Sequence, residues 1–397
     1  MKSKLAALCT YMKGKVAVDT LDEYTYISTE NMIPNKGGIE RASSLPSTQY
    51  TQAFDLGDVL VSNIRPYFKK IWMAEYSGGC SNDVLVFRAS KGCDPTFLYY
   101  VLANNSFFDY ATATSKGTKM PRGDKTAIMQ YEVPAFDIAT QQRIGRLLKG
   151  IDTRIVTNKK INDNLQQQAQ ALFKKWFIDN PDAALWQEGT FSDLIEKTIS
   201  GDWGKDKPSG NNTEMVYCIR GADIPEVRAG NKGKMPIRYI LPKNFASKQL
   251  VNGDIVVEIS GGSPTQSTGR AAAISSSLLA RYDKGMVCTN FCKALKPITG
   301  YSMYVYHYWQ YLYDRGVFFS YENGTTGIKN LDISGFIETE PIFIAPAELV
   351  KKFDTFCQSV FSKVYANGLE SEQLALVRDT LLPKLMSGEI DVNDIRL

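Results

Sequence analysis

The stretch that decides the fold runs from residue 141 to residue 177 and reads QQRIGRLLKGIDTRIVTNKKINDNLQQQAQALFKKWF. From Ile144 onward, apolar residues and two asparagines recur at alternating steps of four and three, and this seam persists for nearly five heptads. Such spacing is typical of a coiled coil. The other interpretation is an amphipathic helix on a domain surface, but average globular helices are far shorter. At 1.5 Å per residue, the predicted helix is about 55 Å long.

The same seam recurs 209 residues further on, from Phe353 to Leu385, and Asn158 maps onto Asn367. Polar residues in a seam cost stability, yet they can fix the register by finding each other. We predict that the two helices pair antiparallel, which puts one globular half at each end and creates an approximate internal two-fold axis. The residues predicted to form this helical spacer and partner interface are Ile144, Leu148, Ile151, Ile155, Asn158, Leu165, Leu172, Phe353, Val360, Val364, Asn367, Leu374 and Leu381.

Short matches in a constant order also relate the two halves of the chain. YISTENMIP from Tyr26 matches YCIRGADIP from Tyr217, and GDVLVSNI from Gly57 matches GDIVVEIS from Gly253. Further pairs follow near Cys80, near Lys116 and near Pro134, and the offsets grow as the chain proceeds. Five matches in one order are hard to obtain by chance, so we predict an internal repeat with insertions in the second copy.

The segments before each long helix combine strand patterns with aromatic helical patterns. VLVSNI, DVLVFRA and IVVEIS have the composition of buried strands, whereas YSMYVYHYWQYLYDRGV has that of a helix. We predict an α+β fold with two globular domains in a pseudo-two-fold repeat, separated by two long helices that form an antiparallel coiled coil. The predicted divisions are residues 1–140 (first domain), 141–179 (first helical spacer), 180–346 (second domain) and 347–397 (second helical spacer).

Composition places the chain among globular proteins. Its 397 residues favour two or three domains, and its 44% hydrophobic and 22% charged fractions are ordinary for a soluble protein. The net charge is only +4 and does not by itself indicate a nucleic-acid partner. No segment approaches the roughly 20 apolar residues that span a bilayer, and the apolar run in MKSKLAALCTYMKGK is too short for a signal peptide. We therefore expect a cytoplasmic protein without membrane contact.

Catalytic patterns are missing from the sequence. His307 is the one histidine and lies in an aromatic helical run, so it is better explained as a packed side chain than as a catalytic base. The seven cysteines are scattered and fit small buried hydrophobes better than a zinc site, which needs four ligands. No phosphate-binding GxxxxGK[ST] loop and no Asn-Pro-Pro-aromatic methyltransferase motif occurs. We predict no catalytic residue, no bound metal and no cofactor on this chain.

Basic residues cluster in segments that resemble loops, interleaved with Asn, Ser, Tyr and Gly. Lysine and arginine neutralise phosphates, and arginine and asparagine can read base edges. For any single lysine a solvated surface loop explains the pattern equally well, so the hypothesis of DNA contact depends on the apparent pairing of clusters between the halves. The predicted DNA-binding residues are Asn63, Arg65, Lys69, Lys70, Lys116, Lys119, Arg122 and Lys125 in the first half, and Lys205, Lys207, Arg228, Lys232, Lys234, Arg238, Arg270 and Lys329 in the second.

Several of these stretches carry a family resemblance. TENMIPNKGGI, GDVLVSNIRPYFKKIW, GGCSNDVLVFR, the long helix and the closing VRDTLLPKLMSGEIDV resemble the DNA-specificity subunit of type I restriction-modification enzymes. The resemblance covers essentially the whole chain as two target-recognition domains, each followed by a helical spacer. Residues 205–285 match no fixed motif, so no functional residue carries over there.

The resemblance implies a non-catalytic DNA-recognition subunit. Each recognition domain of such a subunit reads one half of a split site on double-stranded DNA, and the paired helices measure the gap. Two modification subunits, which bind S-adenosylmethionine and methylate adenine, would dock on the helices, and ATP-using restriction subunits would join them. Two other hypotheses stay open: a self-contained DNA methyltransferase or nuclease with unfamiliar motifs, and a coiled-coil scaffold unrelated to DNA.

Overall fold

The computed structural model describes residues 2–263, 265–324 and 328–395, so Pro264 and Thr325 of the predicted loops lie outside the described residues. The chain divides into two compact units. Unit 1 contains Met1–Arg154 and Leu374–Leu397, and unit 2 contains Ile155–Gln373. Each of the two long helices therefore contributes one part to each unit.

Unit 1 is built from short strands and a few helices. Its strands are β1 (Lys2–Lys4), β2 (Cys9–Tyr11), β3 (Lys15–Ala17), β4 (Tyr26–Ile27), β5 (Tyr50–Phe54), β6 (Val59–Ser62), β7 (Ile71–Met73), β8 (Gly78–Cys80), β9 (Val84–Ala89) and β10 (Glu132–Pro134). Its helices are α1 (Pro95–Ala103), α2 (Asn105–Ala113), α3 (Lys125–Ile128) and the beginning of α4 (Ile138–Phe173). The sheets have the orders β1-β10, β2-β9-β6-β7 and β3-β5-β8-β4.

Unit 2 has the same kinds of element with longer connections. Its strands are β11 (Gln187–Thr190), β12 (Ile195–Ser200), β13 (Glu214–Ile219), β14 (Ile237–Ile240), β15 (Ile255–Glu258), β16 (Ser260–Gly261), β17 (Ala271–Ala273), β18 (Met286–Cys288), β19 (Cys292–Pro297), β20 (Glu322–Asn323), β21 (Lys329–Leu331) and β22 (Pro341–Ile344). Its helices are α5 (Ile224–Arg228), α6 (Pro242–Lys248), α7 (Ser276–Leu279), α8 (Ser302–Asp314), α9 (Ile333–Thr339) and the beginning of α10 (Ala347–Ser387).

The strand order repeats between the units. The central sheet of unit 2 has the order β12-β19-β15-β17, which matches β2-β9-β6-β7 of unit 1 strand for strand. The strand that contains the sequence match from Tyr26 and from Tyr217 has the same parallel partner in both units. In unit 1, β4 pairs parallel with β8, and in unit 2, β13 pairs parallel with β18. The expected α+β repeat is confirmed.

Both central sheets are buried on two faces. In β6, Val59 and Val61 pack in one hydrophobic cluster, whereas Leu60 packs in another on the opposite face. In β15, Ile255 and Val257 belong to one cluster and Val256 to a second. Because successive strand residues point to opposite faces, a continuous apolar run marks a strand covered on both sides.

The long helices follow the predicted seam. In unit 1, Ile144 and Leu148 of α4 are buried in one cluster with Leu382 and Leu385 of α10. Asp152 accepts a 2.6 Å hydrogen bond from Arg378. Residue numbers rise along one helix as they fall along the other, so the two helical parts run antiparallel within this unit.

In unit 2 the seam is polar at its asparagines. The side chain of Asn367 donates to Asn162 Oδ1 at 2.8 Å, and Asn162 donates to the carbonyl oxygen of Val364 at 2.9 Å. Asn158 donates to Glu370 at 3.0 Å. The predicted antiparallel pairing is confirmed in each unit, although Asn367 finds Asn162 rather than the side chain of Asn158.

Candidate nucleic-acid interface

The basic loop of unit 1 is a tight turn between β6 and β7. A short 3-10 helix, Pro66–Phe68, is flanked by Arg65 (φ 49°) and Lys69 (φ 52°), both left-handed. The turn is held from a second loop, because Asn35 N–H donates to the Phe68 carbonyl and Lys36 N–H donates to that of Lys69, both at 2.8 Å. Asn35 and Lys36 are themselves left-handed, and these four are the non-glycine residues with positive φ among those described. Left-handed backbone in such residues is uncommon and marks a constrained position.

A third segment closes on this loop. Arg122 forms backbone bridges to both Ile64 and Lys116, and Arg65 N–H donates to the carbonyl oxygen of Pro121 at 2.8 Å. Lys116 forms a 2.6 Å ion pair with Asp124, and this hydrogen bond holds the pKa of the Asp124 carboxyl below its usual range. The structure thus brings together two predicted basic segments that lie about 50 residues apart in sequence.

The individual side chains of the unit 1 prediction differ in exposure. Lys116, Lys119, Arg122 and Lys125 are exposed. Lys69 is half-buried and donates to Asn105 at 3.0 Å, and Lys70 donates to the Thr29 carbonyl at 2.6 Å. Asn63 is buried.

Asn63 serves the loop through its backbone. Its N–H donates to the Asp83 carbonyl at 2.8 Å, and its carbonyl accepts from Gly123 N–H at 3.1 Å. These bonds join β6 to the segment that carries Arg122. The backbone of Asn63 therefore stabilises the loop, and its side chain is not exposed to solvent.

A solvent-open polar cleft of about 550 Å³ lies beside the basic loop. Its lining includes Ser28, Thr29, Asn31, Arg65, Lys70 and Asp83. Tyr67, Phe68 and Met120 are exposed. The rings of Tyr67 and Phe68 contact each other with centroids 4.8 Å apart.

Unit 2 contains the same three-stranded junction. Asn330 pairs with Ser260 and with Asn323, as Arg122 pairs with Ile64 and Lys116 in unit 1. By this register Ser260 corresponds to Ile64, Asn323 to Lys116 and Asn330 to Arg122.

The charges at the unit 2 junction are neutralised within the chain. Arg270 donates two hydrogen bonds, of 2.8 and 2.6 Å, to the carboxylate of Glu258. Lys329 forms a 2.7 Å ion pair with Glu322. These are the predicted basic residues that unit 2 brings to this junction.

The remaining predicted residues of unit 2 lie on other parts of the fold. Arg238 is buried against the Trp203 ring and pairs with Asp206, and Lys205 bridges to Tyr239. Lys207 and Lys234 are exposed, and Arg228 is half-buried. The ammonium group of Lys232 lies 4.7 Å from the centroid of the Tyr282 ring. The expectation that basic clusters occupy matching places in the halves is therefore wrong for residues 205–238.

The predicted spacer residues line the helix pairs. Buried members are Ile144, Leu148, Asn158, Phe353, Val360, Val364 and Asn367, and half-buried members are Ile151, Ile155, Leu165, Leu172, Leu374 and Leu381.

Sequence reasoning missed the contact between Gly368 of α10 and Gly230. A methyl group on Gly368 would overlap the Gly230 carbonyl oxygen. Gly230 has φ +85°, and the adjacent Ala229 carbonyl accepts from the Asn162 side chain at 3.1 Å. A glycine inside a long seam helix is a signal of such a close approach, since glycine weakens a helix by about 1 kcal/mol relative to alanine.

His307 and the cysteines behave as packed groups. His307 Nδ1 lies 2.9 Å from Gln170 Oε1, and burial, reinforced by Arg228, lowers the pKa of His307 to about 3. All seven cysteines are free and buried. Among residues 2–263, 265–324 and 328–395, no group of three or more His, Cys, Asp and Glu side chains is arranged to hold a metal ion. Over the same ranges, no helix is long and apolar enough to cross a membrane.

Comparisons with known proteins bear on this geometry. Residues 4–167 match the family model described as the type I restriction modification DNA specificity domain. The chain is 26% identical over 325 residues to the type I restriction enzyme MjaIX specificity subunit of Methanocaldococcus jannaschii, which covers 75% of this chain and 70% of that protein. It is 24% identical to the HindI specificity subunit of Haemophilus influenzae, over 92% of this chain and 94% of that protein. The chain is therefore similar over most of its length to specificity subunits of type I restriction enzymes, and its first half matches their DNA specificity domain.

A solved specificity subunit has the same fold. The crystal structure of the type I restriction-modification S subunit from M. genitalium aligns with a TM-score of 0.58 at 16% sequence identity, over 97% of this chain and 96% of that one.

Proposed function

We propose that this chain is a specificity subunit, which reads a two-part site on double-stranded DNA and directs adenine methylation and restriction by partner subunits. The observation that carries the proposal is the repeated loop junction, in which one hydrogen-bonded frame presents two chemically different polar loops. A duplicated frame with divergent loops suits the reading of two different half-sequences.

The two recognition domains in this proposal are residues 1–140 and 180–346. The two helical spacers are residues 141–179 and 347–397. The predicted basic residues of unit 1 contact phosphates or bases, and the described residues 259–263, 265–270, 323–324 and 328–331 do so in unit 2. The basic residues between 205 and 238 serve as additional phosphate contacts.

The chemistry belongs to the partners in this proposal. Two modification subunits carry S-adenosylmethionine and dock along the helix pairs, and restriction subunits supply ATP-driven cleavage. The chain itself is non-catalytic and acts in the cytoplasm.

The test is a methylation assay with and without the modification subunit. Purified full-length chain is incubated with duplex DNA and S-adenosylmethionine, and methylated adenines are mapped by sequencing. We expect no methylation by the chain alone and methylation at one gapped sequence when the modification subunit is added. Methyl transfer by the isolated chain would contradict the proposal, and so would ungapped or sequence-independent methylation by the complex.

A further inference from the structure

Arg65 differs from the other arginines at the two loop junctions in the hydrogen bonds of its guanidinium group. Its Nη2 reaches the Lys119 carbonyl oxygen at a marginal 3.4 Å, and its buried Nε has no hydrogen-bond partner. By contrast, Arg122 donates to both oxygens of Asp83 at 3.0 and 3.2 Å, and Arg270 donates to both oxygens of Glu258. The planar donor edge of Arg65 is not engaged by any carboxylate of the described chain.

The backbone holds this side chain in a fixed position. Arg65 is left-handed, its N–H is bonded to the Pro121 carbonyl, and its own carbonyl accepts from Phe68 N–H at 2.9 Å. The next residue, Pro66, is buried, and its ring fixes φ at that position. A left-handed conformation in a non-glycine residue costs free energy, and it persists here because two neighbouring loops bond to the turn.

The guanidinium lines the open cleft with the hydroxyl groups of Ser28 and Thr29, the amide of Asn31 and the carboxylates of Glu30 and Asp83. Asp83 is bonded to Arg122, and no ion pair joins Glu30 to Arg65 among the described residues. In the major groove, guanine presents two acceptors, N7 and O6, at the spacing of the guanidinium fork, and this pair is the commonest specific arginine contact.

We propose that Arg65 is a specificity-determining residue that reads one guanine in the half-site recognised by unit 1; this inference rests on the proposed function. Unit 2 has no counterpart, because the junction register puts Gly261 at the equivalent position. The guanine requirement set by this position therefore belongs to one half-site.

The test maps methylated adenines for the full chain with its modification subunit, using wild type, Arg65→Ala and Arg65→Lys. Wild type should require guanine at one position of one half-site. Arg65→Ala should relax that preference by about tenfold or more, because a methyl group donates no hydrogen bond. Arg65→Lys should relax it less, since an ammonium group can still donate to N7 and O6 of guanine. The other half-site should keep its sequence, which also shows that each variant has folded and assembled.

Lys119→Ala is the matched control, because Lys119 is exposed on the segment beside Arg65. Loss of a phosphate contact should weaken binding for every sequence and leave the methylated motif unchanged. Retention of the guanine requirement in both Arg65 variants overturns the inference, and so does complete loss of methylation in both. A wild-type complex that methylates no gapped site instead contradicts the proposed function itself.

Discussion

Unit 1 and unit 2 share one β frame and differ in how many of its basic residues are ion-paired. Lys116 and Arg122 of the unit 1 junction are paired with Asp124 and Asp83. At the unit 1 junction, Arg65, Lys119 and Lys125 carry no ion pair to a described carboxylate. At the unit 2 junction, Arg270 and Lys329 are paired with Glu258 and Glu322. Glu258 occupies the position of Ser62 in the repeated strand, and it forms an ion pair with Arg270, which occupies the position of Lys70. The shared strands set the position of each loop, and the loop residues determine which polar groups the loop exposes.

The units also differ in how their loops meet the helices. The loop after Ile33-Pro34 in unit 1 carries Lys36 toward Asp379, Arg378 and Asp152, and burial lowers the pKa of Lys36. The loop after Ile224-Pro225 in unit 2 instead places backbone against backbone at Gly230 and Gly368. The unit 2 loop also accepts a hydrogen bond from Asn162 at the Ala229 carbonyl and donates one from Lys232 N–H to Glu372 at 2.8 Å.

The largest effect should come from closing the space between the two glycines. Gly368→Ala places a methyl group against the Gly230 carbonyl, and a backbone neighbour cannot move aside as a flexible side chain can. We expect a loss of about 3 kcal/mol of unfolding free energy, confined to unit 2. Hydrogen exchange followed by peptide, compared between residues 225–231 and residues 33–38, measures whether the loss is local.

Gly150→Ala is the matched control on α4 in unit 1, because a Cβ there meets no atom within 4 Å. The same substitution in open space should stabilise the helix by about 1 kcal/mol. Equal effects of the two variants would show that helix propensity, rather than the contact with Gly230, governs the response.

A smaller effect should appear on acidification. The folded-state pKa of His307 is lowered to about 3, so between that value and about 6.5 the unfolded chain binds a proton that the folded chain does not. Stability from this group is complete above pH 6.5 and declines as the pH falls, by about 2 kcal/mol at pH 5.

This decline should be seen in unit 2, since the sequence has no second histidine. Thermal unfolding of wild type and His307→Asn at pH 7.5 and pH 5 isolates it from the titration of carboxylates. If both proteins lose the same stability between these pH values, the buried neutral histidine is not the cause.

The sequence predicted the parts of the fold that depend on local period. The four-and-three spacing from Ile144 marked both long helices, because a seam leaves its pattern in every heptad. The apolar runs VLVS and IVVE marked the central strands for the same reason. Short ordered matches were enough to predict the repeat.

The arrangement of the loops depends on contacts that have no local pattern. Arg122 meets Ile64 through backbone bridges across 58 residues, and nothing near either residue signals that pairing. The DNA-binding residues of the second half were predicted from composition alone. Composition cannot distinguish an unpaired arginine from one that forms an ion pair with an acidic residue such as Glu258. The left-handed state of Arg65 is likewise invisible in a residue type that seldom adopts it.

The central claim is tested by lengthening the helical spacer. The readout is whether the gap in the DNA site changes while the two half-sequences stay the same. One heptad is inserted between Arg154 and Ile155 and a second between Gln373 and Leu374, where the two units divide, so that the contacts within each unit are kept. Seven residues add about 10 Å of helix, or about three base pairs. Sequencing of methylated adenines should show a gap longer by about that amount with both half-sequences unchanged. An unchanged gap, or an altered half-sequence, would contradict the account.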